Sequence, residues 1–232
     1  MKKFVAATIV IVVLMLDSCE PAATFDKPQP DNVKSLTAFP ESLQGKYLAA
    51  DQGSVVTITD KLVTRHYDFD FKERKDSLGS SYKLVGDTLI DQESGTKEKV
   101  LVKGDTVIQH ANWIDTLFNI SADNVLKRFK GYYFLNNRYG DNSWEVKKIS
   151  LKRGVLTVGS ISDKDDIEKL KEITETTADT TSTHFTLTRR QFKRFVRQDG
   201  FGEEETFTRM TENSRHTQRF SAMLADRIKH QQ

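Results

Sequence analysis

Three hydrophobic patterns follow one another along this chain. In residues 4–16, thirteen positions carry no charge and one hydroxyl, Thr8, directly behind Lys2 and Lys3. Period-two alternation comes next, in short stretches. Tyr67, Phe69 and Phe71 alternate with His66, Asp68 and Asp70, which predicts a half-buried strand with its aromatic side chains on one face. Residues 45–48, 55–59, 144–151, 154–158, 184–188 and 205–210 read as strands on the same grounds. Helical spacing appears late. Ile167, Leu170 and Ile173 recur three apart within residues 163–173, with Asp163 placed to cap. Phe192, Phe195 and Val196 form one stripe of a second helix, capped by Thr188 and ended by Gly200.

Turn residues organise the strands. Residues 84–90 (Leu-Val-Gly-Asp-Thr-Leu-Ile) and 102–108 (Val-Lys-Gly-Asp-Thr-Val-Ile) match at a spacing of eighteen. Gly-Asp between apolar runs reads as a tight hairpin turn, so an antiparallel meander is expected through residues 81–110. Gly45-x-Tyr47 is echoed by Gly131-x-Tyr133, which allows two related halves meeting near residue 129. All four prolines, Pro21, Pro28, Pro30 and Pro40, lie close together near the start. Proline lacks a donor and favours extended backbone, so residues 19–42 are expected to form a tether. The expected organisation is a signal peptide at 1–18, the tether at 19–42, a β-rich domain at 43–210 and a polar tail at 211–232. The expected fold class is mainly β: an antiparallel barrel or two packed sheets, with one or two short accessory helices.

The apolar run has the anatomy of a signal peptide. As a helix its thirteen residues reach about 20 Å, short of the roughly 30 Å hydrocarbon core of a bilayer. It closes on Leu16-Asp17-Ser18-Cys19, which resembles the lipobox of bacterial lipoproteins: an aliphatic residue at minus three, a small one at minus one, then cysteine. Asp17 departs from the small residue usual at minus two. The resemblance implies cleavage before Cys19, diacylglycerol on its sulfur and an acylated new amino group; the expected location is the outer membrane of a Gram-negative bacterium, on either its periplasmic or its surface side. Cys19 is the only cysteine in the chain, so it has no partner for a structural disulfide. The Gly-x-Tyr opening strand and the meander, over residues 45–110, are similar to lipocalin-like bacterial proteins, in which Gly-x-Trp occupies the first strand. That resemblance implies a β fold and, as an alternative function, carriage of a small apolar ligand.

Charge narrows the partners. Without residues 1–18 the chain loses Lys2, Lys3 and Asp17 from its 35 basic and 33 acidic residues, leaving it near balance. A nucleic-acid partner, which would need a basic face, is not expected. His66, Asp68 and Asp70 share a face, but neighbours at that spacing lie about 6.8 Å apart, too far to hold one ion unaided. They read as a solvated face. Asp163, Asp165 and Asp166 lack the glycine and terminal glutamate of a calcium loop and read as a helix start. Glu203, Glu204 and Glu205 read as a solvated turn. Arg189, Arg190, Lys193, Arg194 and Arg197 read as the solvated face opposite the Phe stripe, with contact to anionic headgroups as the alternative. Trp113, Trp144 and the tyrosines read as core, with the lining of a ligand pocket as the alternative. No catalytic, cofactor or metal site is expected. The reading is a non-enzymatic envelope lipoprotein, lipid-attached at Cys19, acting as a binding or scaffold module toward a protein or a small apolar ligand.

Overall fold

A computed structural model describes residues 21–50, 53–161, 164–175 and 183–211. The signal peptide, Cys19, the Asp163 cap, most of the Thr-rich loop and nearly all of the polar tail therefore lie outside the described residues. Strand makes up 52% and helix 13%, so the fold is mainly β, with two α-helices among the described residues; the sheet does not close into a barrel.

In chain order the strands begin with β1 (Thr24–Phe25), β2 (Ser35–Leu36), β3 (Gly45–Ala49), β4 (Ser54–Ile58) and β5 (Leu62–Arg74). β6 (Tyr82–Val85), β7 (Thr88–Asp91), β8 (Lys97–Lys99), β9 (Leu101–Lys103) and β10 (Thr106–Asn119) follow. The second half holds β11 (Asn124–Phe129), β12 (Tyr132–Tyr139), β13 (Ser143–Lys152) and β14 (Val155–Ser160), then helix α1 (Lys164–Thr174), β15 (His184–Phe185), helix α2 (Arg189–Arg197) and β16 (Glu203–Arg209). Contacts divide the chain into two compact units: unit one, residues up to 38 with 120–206, and unit two, residues 39–119 with those from 207 onward. The break at 119/120 replaces the expected meeting point near 129. Gly131 and Tyr133 belong to unit one, whereas Gly45 and Tyr47 belong to unit two.

Unit one is an antiparallel meander in the order β2-β11-β12-β13-β14. β1 joins β13 through Phe25 and Trp144, and pairs in parallel with β15. The run Tyr133-Phe134-Leu135 does not alternate because both faces of β12 are buried. Phe134 and Val146 pack with Leu170 and Ile173 of α1, Phe192 and Phe195 of α2, and Phe201. Phe134 and Phe192 meet edge to face at 5.0 Å, an arrangement their quadrupoles favour. Thr188 caps α2 as expected, and Gln191 completes a capping box.

The expected tether is folded. Phe25 and Gln29 are fully buried, Ala23 joins the aromatic core, and β2 pairs with β11. The proline-rich segment is held by donors from the sheet. Lys127 Nζ donates to the carbonyls of Pro28 (2.7 Å) and Pro30 (2.9 Å). Burial pulls this lysine below its usual range, and Asp31 partly offsets that. Proline removes a donor but keeps its acceptor, so these carbonyls serve a buried ammonium. Among the described residues the fold thus already includes Ala23, twenty residues before the expected start at 43.

Unit two has the order β16-β3-β4-β5-β10-β9, its β16 contribution being Phe207, Thr208 and Arg209 paired with β3. Tyr47, Val56, Ile58 and Val63 are buried at its base, where Phe39 and Phe118 meet edge to face at 6.0 Å. Both Gly-Asp repeats form two-residue turns, Val85 pairing with Thr88 and Lys103 with Thr106. Gly86 and Gly104 carry the positive φ, 63° and 58°, and the aspartates do not, the pattern of a II′ turn. The expected single meander is nevertheless split. β6, β7 and β8 form their own three-stranded sheet, while β9 and β10 join the larger one. The last strand starts at Glu203 rather than Glu205, so the glutamates begin an exposed strand, not a turn.

Candidate binding surface

Strands β5 and β10 pair along their whole length, from Thr106 opposite Arg74 to Asn119 opposite Leu62, with one irregularity at Leu117. β4 accompanies β5 only from Val63 to Tyr67. Beyond it the pair continues as a ribbon, the 13 residues of β5 extending about 43 Å. Because side chains alternate, the ribbon has two chemically distinct faces.

One face is an aromatic ladder. Trp113 sits directly opposite Tyr67, and their rings stack at 4.6 Å and 17°. Phe69 meets Trp113 edge-on at 5.7 Å and Phe71 edge-on at 4.7 Å. Arg65 closes the inner end, its guanidinium 4.8 Å from the Tyr67 ring centre and its Nε donating to Ser54 Oγ at 2.9 Å. Trp113 Nε1 donates to Asp115 Oδ2 at 3.2 Å, so the indole is held in place by a polar tether as well as by stacking. Gly53, Ser54, Tyr67, Phe69 and Trp113 line a groove of about 370 Å³. Trp113 remains 42% and Phe71 54% exposed, so the expected core role holds for Trp144, which is buried, and fails for Trp113. Alternation reports which residues share a face; whether another layer covers that face depends on the rest of the fold.

The opposite face departs from the expected solvated strand at Asp68, while Asp70 stays exposed. Asp68 is 1% exposed, and Asn112 Nδ2 donates to its Oδ2 at 3.4 Å. His110 lies 3.1 Å from Asp70 through Nδ1 and 4.0 Å from Asp68 through Nε2, and His66 contacts Asn112 at 3.2 Å. Cross-strand register, unavailable from residue spacing, brings these five side chains together. Among the described residues no group of three or more His, Cys, Asp or Glu side chains is arranged to hold a metal ion.

Other sequence candidates have structural partners. Asp166 is buried, accepts from the Gly202 amide at 2.6 Å and pairs with Lys169 at 3.2 Å, which ties α1 to the segment before β16. His184 contacts Thr24 Oγ1 at 3.0 Å. On the outer edge of β10, β9 pairs only with Thr106, Val107 and Ile108, and no other described strand follows it. Ile114 on that edge is 64% exposed. No helix among the described residues is long and apolar enough to cross a membrane. Set against protein-family models, curated proteins and solved structures, the chain matches none.

Proposed function

We propose that this chain is a lipid-anchored envelope protein, attached through Cys19 at the outer membrane, that acts without catalysis as a binding or scaffold module. The observation that carries the binding role is the ladder of Arg65, Tyr67, Trp113, Phe69 and Phe71, in which Trp113 and Phe71 are exposed and the others are half-buried. Large aromatic side chains that stay open to water at Trp113 and Phe71, continuous with the half-buried Tyr67 and Phe69, mark an interaction site, because the open rings forgo burial that the fold would otherwise use. The open sheet supports this reading over the lipocalin-like carrier, whose ligand sits inside a closed barrel.

Two experiments test it. Incorporation of radiolabelled fatty acid and membrane fractionation are expected for the native chain and lost in Cys19→Ala; labelling retained by that variant overturns the anchor. A photo-crosslinking amino acid at position 113 or 71 is expected to give discrete adducts in intact envelopes, whereas the same group at Val155, exposed in unit one, gives none. Absence of adducts at both ladder positions, or the same adducts at 155, overturns the ladder as the binding surface.

A further inference from the structure

Unit one carries a second groove, of about 280 Å³, where α2 faces the turn between β11 and β12. Its floor is apolar: Phe129, Tyr132 and Val196 line it and pack against the aromatic core. Its rim is cationic, with Lys130 from the turn and Lys193 and Arg197 from α2; Asp199 also lies at the lining. Arg197, then Lys130, with a smaller effect from Arg189, hold the Lys193 ammonium below its usual range, so these charges feel one another.

Some other cations of the same unit are paired with carboxylates. Arg194 meets Glu172 at 2.6 Å, Lys148 meets Glu204 at 3.2 Å and Lys169 meets Asp166 at 3.2 Å. Among the described residues no such ion pair is found for Lys130, Lys193 or Arg197. Gathering like charges without carboxylate partners costs free energy that a bound anion recovers. A positive rim over an apolar floor is complementary to an anionic head joined to a hydrocarbon stem.

We propose that this groove binds the phosphate-bearing headgroup and first methylenes of an anionic membrane lipid. Its place in the chain fits such a ligand. β1 starts five residues after Cys19, a stretch that spans at most about 18 Å. Lipid attachment at Cys19 thus keeps unit one against the bilayer. This closeness rests on the anchor reading, whereas the charge cluster stands without it.

The test uses the full chain and monomeric dihexanoyl-phosphatidylglycerol, followed by backbone amide shifts of α2 and the β11–β12 turn, so that neither lipidation nor the apolar N-terminal run enters the readout. Saturable binding is expected, about tenfold tighter than for dihexanoyl-phosphatidylcholine or inorganic phosphate. In the double variant K193Q/R197Q it weakens by about tenfold or more. Lys171→Gln, on α1 and away from the groove, is expected to bind as the native chain does. Circular dichroism establishes that the variants are folded. Equal affinity for the two lipids, equal affinity for free phosphate, or binding unchanged in K193Q/R197Q each overturns the proposal. Fatty-acid labelling retained in Cys19→Ala overturns only the anchor, so the two readings fail separately.

Discussion

Gln29 and Asn136, 107 residues apart, exchange two hydrogen bonds: the Gln29 amide donates to Asn136 Oδ1 at 2.5 Å, and Asn136 Nδ2 donates to the Gln29 carbonyl at 3.0 Å. Both residues are completely buried. Asn136 Nδ2 also reaches the Val125 carbonyl at 3.0 Å. One side chain thereby satisfies the backbone of a proline-flanked segment that has few donors of its own, and ties it to β11 and β12.

Asn136→Ala is accordingly expected to leave a buried amide and a buried carbonyl of Gln29 without partners. Each such group costs about 1–3 kcal/mol, so a loss of about 3 kcal/mol is expected. Urea unfolding followed by Trp144 fluorescence in a Trp113→Phe background measures it in unit one. A midpoint within experimental error of the parent would show that the proline-rich segment contributes nothing to that unit.

Gly200 follows α2 under the Phe195 ring. A Cβ there would stand 2.4 Å from two ring carbons, and Phe195, fully buried, has nowhere to move. Gly200→Ala is expected to cost about 1–3 kcal/mol as an overpacking substitution. At Gly79 the nearest atoms to an added Cβ are 3.8 and 3.9 Å away, so Gly79→Ala is expected to change stability by no more than about 1 kcal/mol. Paired denaturation curves of the two variants make the comparison.

The α2 capping box sets a smaller effect. Thr188 Oγ1 accepts from the Gln191 amide at 3.3 Å, and the Thr188 amide donates to Gln191 Oε1 at 2.9 Å. Thr188→Ala is expected to lower stability by about 1 kcal/mol, and Thr188→Ser by clearly less, since serine restores the acceptor. Equal losses in the two variants would assign the effect to something other than the cap.

Tyr47 gives unit two an alkaline sensitivity. Its hydroxyl donates to the Leu43 carbonyl at 2.7 Å, and burial raises its pKa, with Arg209 pulling the other way. Above pH about 10 the unfolded chain releases this proton while the folded chain keeps it, so the unfolded state binds fewer protons and stability falls as pH rises through the folded pKa. Subtracting the stability–pH curve of Tyr47→Phe from that of the parent isolates this group. A difference flat from pH 8 to 11, or one rising with pH, contradicts the expectation.

Local chemistry was readable wherever the deciding partners lie within a few residues. The Gly-Asp turns at 86 and 104 form hairpins because glycine accepts the required positive φ without a Cβ penalty, and Thr188 starts α2 because its acceptor meets an amide three residues on. The face shared by Tyr67, Phe69 and Phe71 follows from the two-residue period of any strand. Long-range register decided the rest. Trp113 stacks on Tyr67 only because β10 pairs with β5 in that alignment, and the same alignment gathers His66, Asp68, Asp70, His110 and Asn112. The proline-rich segment looked like a tether because proline content reports missing donors, while the donors that fold it, Asn136 and Lys127, stand about a hundred residues away. Sequence periodicity thus sets which side chains travel together. Tertiary contact alone decides which of those faces is buried and which, like the aromatic ladder, is left partly open to solvent, because burial belongs to what packs against a strand and not to the strand's own pattern.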